Sequence, residues 1–146
     1  MRRLASDLGV SQPVIYSVFP AGRQSLVDAV ATEGFGELAE ALEQTPDEPE
    51  KRARTYLEWA ARHPRLYEAM FSMPTGLQFG EAGTSDALRR AFEAIEQTFP
   101  GAGRARAEVA WAMLHGLATL ESGGRLPASG AQPRFDYTLA ALRADP

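Results

Sequence analysis

Cysteine is absent from the 146-residue sequence, and histidine occurs only twice, as His63 and His115. The lack of cysteine excludes a disulfide scaffold, a thiolate zinc site, an iron–sulfur cluster and a cysteine nucleophile. No apolar run approaches the roughly 20 residues that a membrane span needs. The charged start, Met1 to Asp7, has no apolar core of the signal-peptide kind behind it. We therefore expect a cytoplasmic protein with no membrane partner, no metal site and no cofactor.

Basic charge is also in short supply. The chain has 15 Lys and Arg against 19 Asp and Glu, a formal net charge of −4, and an isoelectric point of about 5.2. This balance excludes a protein that coats nucleic acid with a basic surface. The charge is unevenly distributed, because residues 1–26 are net positive and the remainder is net negative. The split favours contact with nucleic acid at the N-terminal end.

Strand signals are poor, whereas apolar residues recur at helical spacing along most of the chain. The sequence therefore predicts an all-α fold. The turn Thr45–Pro49 divides a first part, residues 1–44, from a helical regulatory part, residues 45–146. Loops are expected over 72–83 and 126–133. The predicted helices are Arg2–Leu8, Gln12–Phe19, Arg23–Gln44, Glu50–Arg62, Pro64–Phe71, one capped by Thr84–Asp86 and running to Phe99, Arg104–Ser122 and Phe135–Ala144.

The first two short helices, separated by Gly9, have the layout of a helix-turn-helix. Glycine permits the left-handed backbone of a tight turn, and Ser11 can cap the second helix. In this layout the second helix enters the major groove of DNA. Its predicted exposed residues are Gln12, Pro13, Tyr16 and Ser17. Gln12 can hydrogen-bond to base edges, and Tyr16 can reach a phosphate through its hydroxyl.

Over residues 4–20, LASDLGVSQPVIYSVFP, the sequence resembles the TetR family of bacterial one-component transcription repressors. The shared pattern is an apolar-alanine pair, Gly-Val-Ser, an apolar-Tyr pair, a closing Phe, and a basic residue early in the next helix, here Arg23. The segment around Trp111, His115 and Gly116 resembles the WHG-type C-terminal domain of one TetR subgroup. The family places a further helix before Arg2, so this chain is expected to lack the first N-terminal helix.

The resemblance implies a homodimeric repressor that binds palindromic double-stranded operator DNA and releases it when a small-molecule effector binds. It implies no enzymatic activity. The residues expected at the DNA are Ser11, Gln12, Pro13, Tyr16, Ser17 and Arg23. An alternative function is a regulatory or dimerisation module that no longer binds DNA, because the N-terminal helix is missing. A small-molecule sequestering protein is a third possibility, with no residue pattern in its favour.

Effector and dimer contacts are expected in the C-terminal part. Trp111 and His115 share one helix face, and either they line a pocket or His115 is a core histidine bonded to backbone. The candidate effector-binding residues are Trp59, Tyr67, Phe71, Trp111 and His115. The last two long helices are expected to pair with their symmetry mates as a four-helix bundle. The candidates for that seam are Leu114, Leu117, Leu139 and Leu142.

Overall fold

The computed structural model describes residues 1–71, 73, 76–77, 84–101 and 104–143. This part of the chain contains helices and no strand, so the all-α prediction is confirmed. The helices are α1 (Arg2–Asp7), α2 (Gln12–Val18), α3 (Arg23–Glu43), α4 (Pro49–Arg62), α5 (Pro64–Phe71), α6 (Asp86–Thr98), α7 (Ala105–Ser122) and α8 (Ala131–Arg143), with a short 3₁₀ turn at Ala128–Gly130. Within these residues, no helix combines the length and the apolarity needed to cross a membrane.

One hydrophobic core joins α3 to α8, and α3 lies at its centre, where it packs against α4, α5 and α6. Helix α7 completes the core by packing against α4 and α6, and α8 packs against α7. The largest fully buried side chains are Phe35, Leu38, Leu42, Tyr56, Leu88 and Leu114. Burial of a Leu or Phe side chain stabilises a fold by about 1.5–3 kcal/mol, so this cluster dominates the stability of the chain.

Helices α3 and α5 cross closely at Gly34. A Cβ atom at this position would lie 2.6 Å from Sδ of Met70 and 3.1 Å from Cδ1 of Leu66. The missing side chain therefore lets the backbone of α3 approach the side chains of α5. Gly116 of α7 has no such contact among the described residues, since a Cβ there would meet nothing within 4 Å.

A buried arginine ties α4 to α6. Nη1 of Arg52 donates to the carbonyl oxygen of Ala94 at 2.8 Å and to Oγ1 of Thr98 at 2.9 Å, and lies 3.1 Å from Asp47. Only 8% of Arg52 is exposed. A buried charge of this kind is tolerated because it is both paired and hydrogen-bonded.

The helix boundaries follow the prediction closely, with one clear exception. The 126–133 segment was expected to be a loop, but α8 already begins at Ala131. Pro133 is compatible with this start because it lies in the first turn, where its missing N–H would have no partner inside the helix. The predicted end of α8 at Ala144, and most of the predicted loop 72–83, lie outside the described residues.

Candidate functional site

The turn between α1 and α2 is built as the sequence predicts, around a glycine with a positive φ angle. Gly9 has φ 65°, its N–H donates to the carbonyl of Ser6 at 3.2 Å, and the N–H of Val10 donates to the carbonyl of Ala5 at 3.0 Å. These two bonds form the Schellman arrangement that ends a helix at a left-handed glycine. The turn therefore holds α2 at a defined angle to α1.

The six candidate DNA-contact residues lie at the surface, with Gln12 partly covered and the other five exposed. Ser11 occupies the N-cap position of α2, but its hydroxyl makes no capping hydrogen bond, so the expected side-chain cap is not formed. The hydroxyl of Ser17 donates to the carbonyl of Val14 at 2.7 Å. The ring of Tyr16 lies beside Gly22, where an added Cβ would meet its Cε1 at 3.2 Å. Tyr16 is thus braced against the turn that precedes α3, although 47% of it is exposed.

The apolar face of the α1–α2 unit is largely uncovered. Ile15 is the one buried residue of α2, whereas Val14 and Val18 are 50% and 64% exposed. Leu8, at the end of α1, is 62% exposed. Helices of six and seven residues offer too little surface to bury all of their apolar side chains against each other.

Four of the five candidate effector residues meet between α5 and α7. Together with Tyr56 of α4 they form what we call the aromatic cluster (Tyr56, Tyr67, Phe71, Trp111, His115). The ring of Phe71 lies 4.5 Å from that of His115 and 6.0 Å from that of Trp111. The rings of Tyr67 and His115 stack at 5.7 Å. The cluster forms because Tyr67 and Phe71 are one turn apart on α5, as are Trp111 and His115 on α7.

Trp59, the fifth candidate, packs against His63 at the end of α4. Its side chain is 3% exposed and contacts His63, with ring centroids 4.8 Å apart. Tyr56, which was not among the five candidates, takes its place in the cluster. The hydroxyl of Tyr56 lies 2.8 Å from that of Tyr67 and accepts from Nε1 of Trp111 at 3.2 Å. Only the packing of α4 against other helices reveals this role of Tyr56, because the partners of its hydroxyl lie on α5 and α7.

His115 is held by a tyrosine hydroxyl of the aromatic cluster. Nδ1 of His115 bonds to the hydroxyl of Tyr67 at 2.8 Å, not to backbone. Burial lowers the pKa of His115 and raises the pKa of Tyr56 to about 12. Burial also raises the pKa of Tyr67, and the neighbouring Tyr56 raises it further. All three groups are therefore uncharged near pH 7, and the cluster is a neutral hydrogen-bonded network.

A cleft of about 370 Å³ opens beside the cluster between α5 and α7. Tyr67 lines its inner side, Thr119 lies across from it on α7, and Arg65 and Glu68 stand at its rim, paired with each other at 3.3 Å. Its volume suits a small organic ligand. Among the described residues, no group of three or more His, Asp or Glu side chains is placed to hold a metal ion.

Comparison with known proteins decides the family. Residues 50–142 match the family model described as "Tetracyclin repressor-like, C-terminal domain". The chain belongs to this TetR-like family. The match spans α4 to α8, that is, the elements that carry the aromatic cluster.

One solved structure is similar to the TetR-like chain along almost its whole length. It is that of a protein of unknown function from Rhodococcus sp. RHA1, with a TM-score of 0.67 and 26% sequence identity. The similarity covers 97% of this chain and 81% of that chain. No curated protein matches the sequence.

The expected dimer seam of this TetR-like chain needs correction. Leu114, Leu139 and Leu142 are 1%, 4% and 4% exposed, because they pack in the core of the single chain, and Leu117 is half-buried. The first three therefore offer no surface to a second copy. The large apolar residues that α7 and α8 leave exposed are Val109 (55%), Leu120 (44%) and Tyr137 (79%).

Proposed function

We propose that the protein is a ligand-responsive transcriptional repressor that binds palindromic operator DNA as a homodimer in the bacterial cytoplasm. The observation that carries the proposal is the α1–α2 unit ahead of a TetR-like domain, in which one short helix carries the exposed Tyr16 and the partly covered Gln12. The second helix of such a unit reads the major groove, where a glutamine amide recognises base edges and a hydroxyl can contact phosphate. Arg23, exposed at the start of α3, adds a positive charge for the backbone.

Dimerisation is supported by helices with two apolar faces. On α7, the exposed Val109 and Leu120 lie away from the buried residues Ala107, Ala110, Leu114 and Ala118, and Gly116 lies one turn before Leu120 on the same side. On α8, Pro133, Tyr137, Ala140 and Ala141 form an exposed face opposite Phe135, Thr138, Leu139 and Leu142. We propose that these outer faces pack against their symmetry mates in a four-helix bundle, with Gly116 permitting close approach across the dimer.

The proposed effector site is the aromatic cluster with its adjoining cleft. Helix α5, which carries Tyr67 and Phe71, packs on α3 at Gly34. The segment after α5 also touches α3, because the N–H of Gly76 donates to Oδ1 of Asp28 at 2.9 Å. A ligand that moves α5 therefore acts on the helix that follows the DNA-contact unit. In this account the ligand favours a dimer whose recognition helices are wrongly spaced for successive major grooves, about 34 Å apart.

A second candidate function is a regulatory or dimerisation module that does not bind DNA. The exposed apolar side chains of Leu8, Val14 and Val18 favour it, because a unit that buries so little apolar surface is weakly held together. The two candidates differ in a single property, namely whether the chain selects a DNA sequence.

Selection from a pool of random duplexes separates them. We expect the chain to enrich a sequence with two-fold symmetry whose half-site centres lie one helical turn apart, because a two-fold dimer contacts successive major grooves. If repeated selection enriches no sequence, DNA recognition is contradicted and the second candidate, a regulatory or dimerisation module, is supported. The selected duplex then serves to screen small molecules for release of the bound protein.

A further inference from the structure

Four polar side chains form a continuous hydrogen-bonded path through the core. It runs from Nε1 of Trp111 to the hydroxyl of Tyr56, then to the hydroxyl of Tyr67, and ends on Nδ1 of His115. Tyr56 is completely buried, at 0% exposure, so water does not supply it with further partners. Every proton on this path must therefore be placed among the four side chains.

The direction of the path follows from what each group can donate. An indole N–H only donates, so the oxygen of Tyr56 accepts from Trp111. If Tyr56 also accepted from Tyr67, its own proton would meet no acceptor among the described residues, and a buried unpaired donor is costly. The satisfied arrangement has Tyr56 donating to Tyr67 and Tyr67 donating to Nδ1 of His115. Nδ1 is then an acceptor, and the neutral imidazole carries its proton on Nε2.

That remaining donor lies beside the cleft. Nε2 of His115 is 3.5 Å from Oγ1 of Thr119, at the outer limit of a hydrogen bond, and Thr119 lines the cleft together with Tyr67. A donor with so distant a partner is available to a ligand oxygen. The rings of Phe71 and Tyr67 flank His115 and give the donor an aromatic surround.

We propose that the Trp111–Tyr56–Tyr67 path holds His115 as the neutral Nε2–H tautomer, and that the effector is an uncharged, aromatic or apolar molecule whose carbonyl or ether oxygen accepts from Nε2. This inference rests on the proposed effector site and names the ligand class that the site takes.

Charged ligands fit the same site poorly. A carboxylate or phosphate at Nε2 favours the imidazolium form, in which Nδ1 also has to donate. That would reverse the path and leave the proton of Tyr56 unpaired in the core. An ammonium group would meet a donor where it needs an acceptor. At the rim, Arg65 and Glu68 already neutralise each other.

The tautomer is measured directly by two-bond ¹H–¹⁵N correlation spectra of the full chain at pH 7.5, in which the two neutral forms of imidazole give distinct nitrogen shifts. His63→Gln assigns the His115 signals, since the chain has two histidines. We expect the Nε2–H form alone in the wild type. Tyr67→Phe should give a mixture of both forms, whereas Tyr137→Phe, a change at a tyrosine 79% exposed on α8, should not. A wild-type spectrum showing Nδ1–H, or a mixture, overturns the inference without relying on any variant.

The ligand class is tested with two probes that share a ring, acetophenone and benzoate. At millimolar concentration acetophenone should shift the Nε2 resonance and bind about tenfold more tightly than benzoate, because only the neutral carbonyl keeps the path satisfied. Equal or tighter binding of benzoate, or no shift with acetophenone, contradicts the ligand class. If acetophenone binds at Nε2 but no small molecule releases selected DNA, the proposed function fails and this inference stands.

Discussion

At the scale of single residues, the tautomer of His115 is set by the indole N–H of Trp111, which lies three hydrogen bonds away. The pairing of Tyr67 with Phe71, and of Trp111 with His115, could be predicted from spacing on two helices. The part played by Tyr56 could not, because it depends on how α4 packs against two other helices. Trp59 was expected in the effector site, but its ring contacts His63.

The neutral state of His115 predicts a loss of stability in mild acid. Burial lowers the pKa of His115 in the folded chain below its ordinary value of about 6.5, so the unfolded chain binds the proton first. This contribution to the free energy of unfolding is fully present above pH 6.5 and is lost as the pH falls toward and through the folded pKa. We expect the urea midpoint to fall from pH 7.5 to pH 5.5.

The comparison variant is His115→Gln, whose midpoint should fall less over the same range, since its side chain does not titrate. A wild type and a His115→Gln protein with parallel curves would show that His115 titrates normally.

At the scale of the elements, the close crossing of α3 and α5 depends on one glycine and was not predictable from sequence. Gly34 and Gly36 lie two residues apart in the same helix, and helical periodicity does not say which of them faces a neighbour closely. An added Cβ at Gly36 would lie 3.9 Å from the Cβ of Ala87, an ordinary contact, whereas one at Gly34 would press on Met70. Met70 is 2% exposed and so has little room to move.

These two glycines make a matched pair for mutation. Gly36→Ala should raise the free energy of unfolding by up to about 1 kcal/mol, because alanine is the better helix former. Gly34→Ala should lower it by about 1–2 kcal/mol, because overpacking outweighs the same gain. Urea unfolding of both variants measures the difference. Equal stabilisation by the two changes would show that α5 does not approach α3 closely at Gly34.

At the scale of the whole molecule, α7 and α8 are apolar on two sides, one packed in the core and one exposed. The sequence shows apolar residues around much of α7, but its periodicity does not say which side faces inward. Three of the four leucines expected at the seam, Leu114, Leu139 and Leu142, therefore lie on the core side. Most helix ends were predictable from glycine and proline signals, and α8 began early because a proline in the first turn does not disrupt a helix.

The exposed sides of α7 and α8 predict a dimer that one charge disrupts. Leu120→Arg should convert the dimer to monomer, because it buries an unpaired guanidinium at the proposed interface. Leu120 is 44% exposed in the single chain, so the monomer itself should stay folded. Gln97→Arg, at an exposed position on α6, serves as the control. Sedimentation velocity gives the masses, and a Leu120→Arg protein that remains dimeric contradicts the proposed seam.

The central claim is that α2 reads DNA, and fluorescence anisotropy with the selected duplex tests it most directly. Tyr16→Phe should weaken binding to the selected duplex and to its point variants by the same factor, since a phosphate contact carries no sequence information. Gln12→Ala should weaken binding mainly at one base pair, by about 1–3 kcal/mol. Gln97→Ala, a change at an exposed position on α6, should bind as the wild type does. If both α2 variants bind every duplex with wild-type affinity, α2 is not the recognition helix.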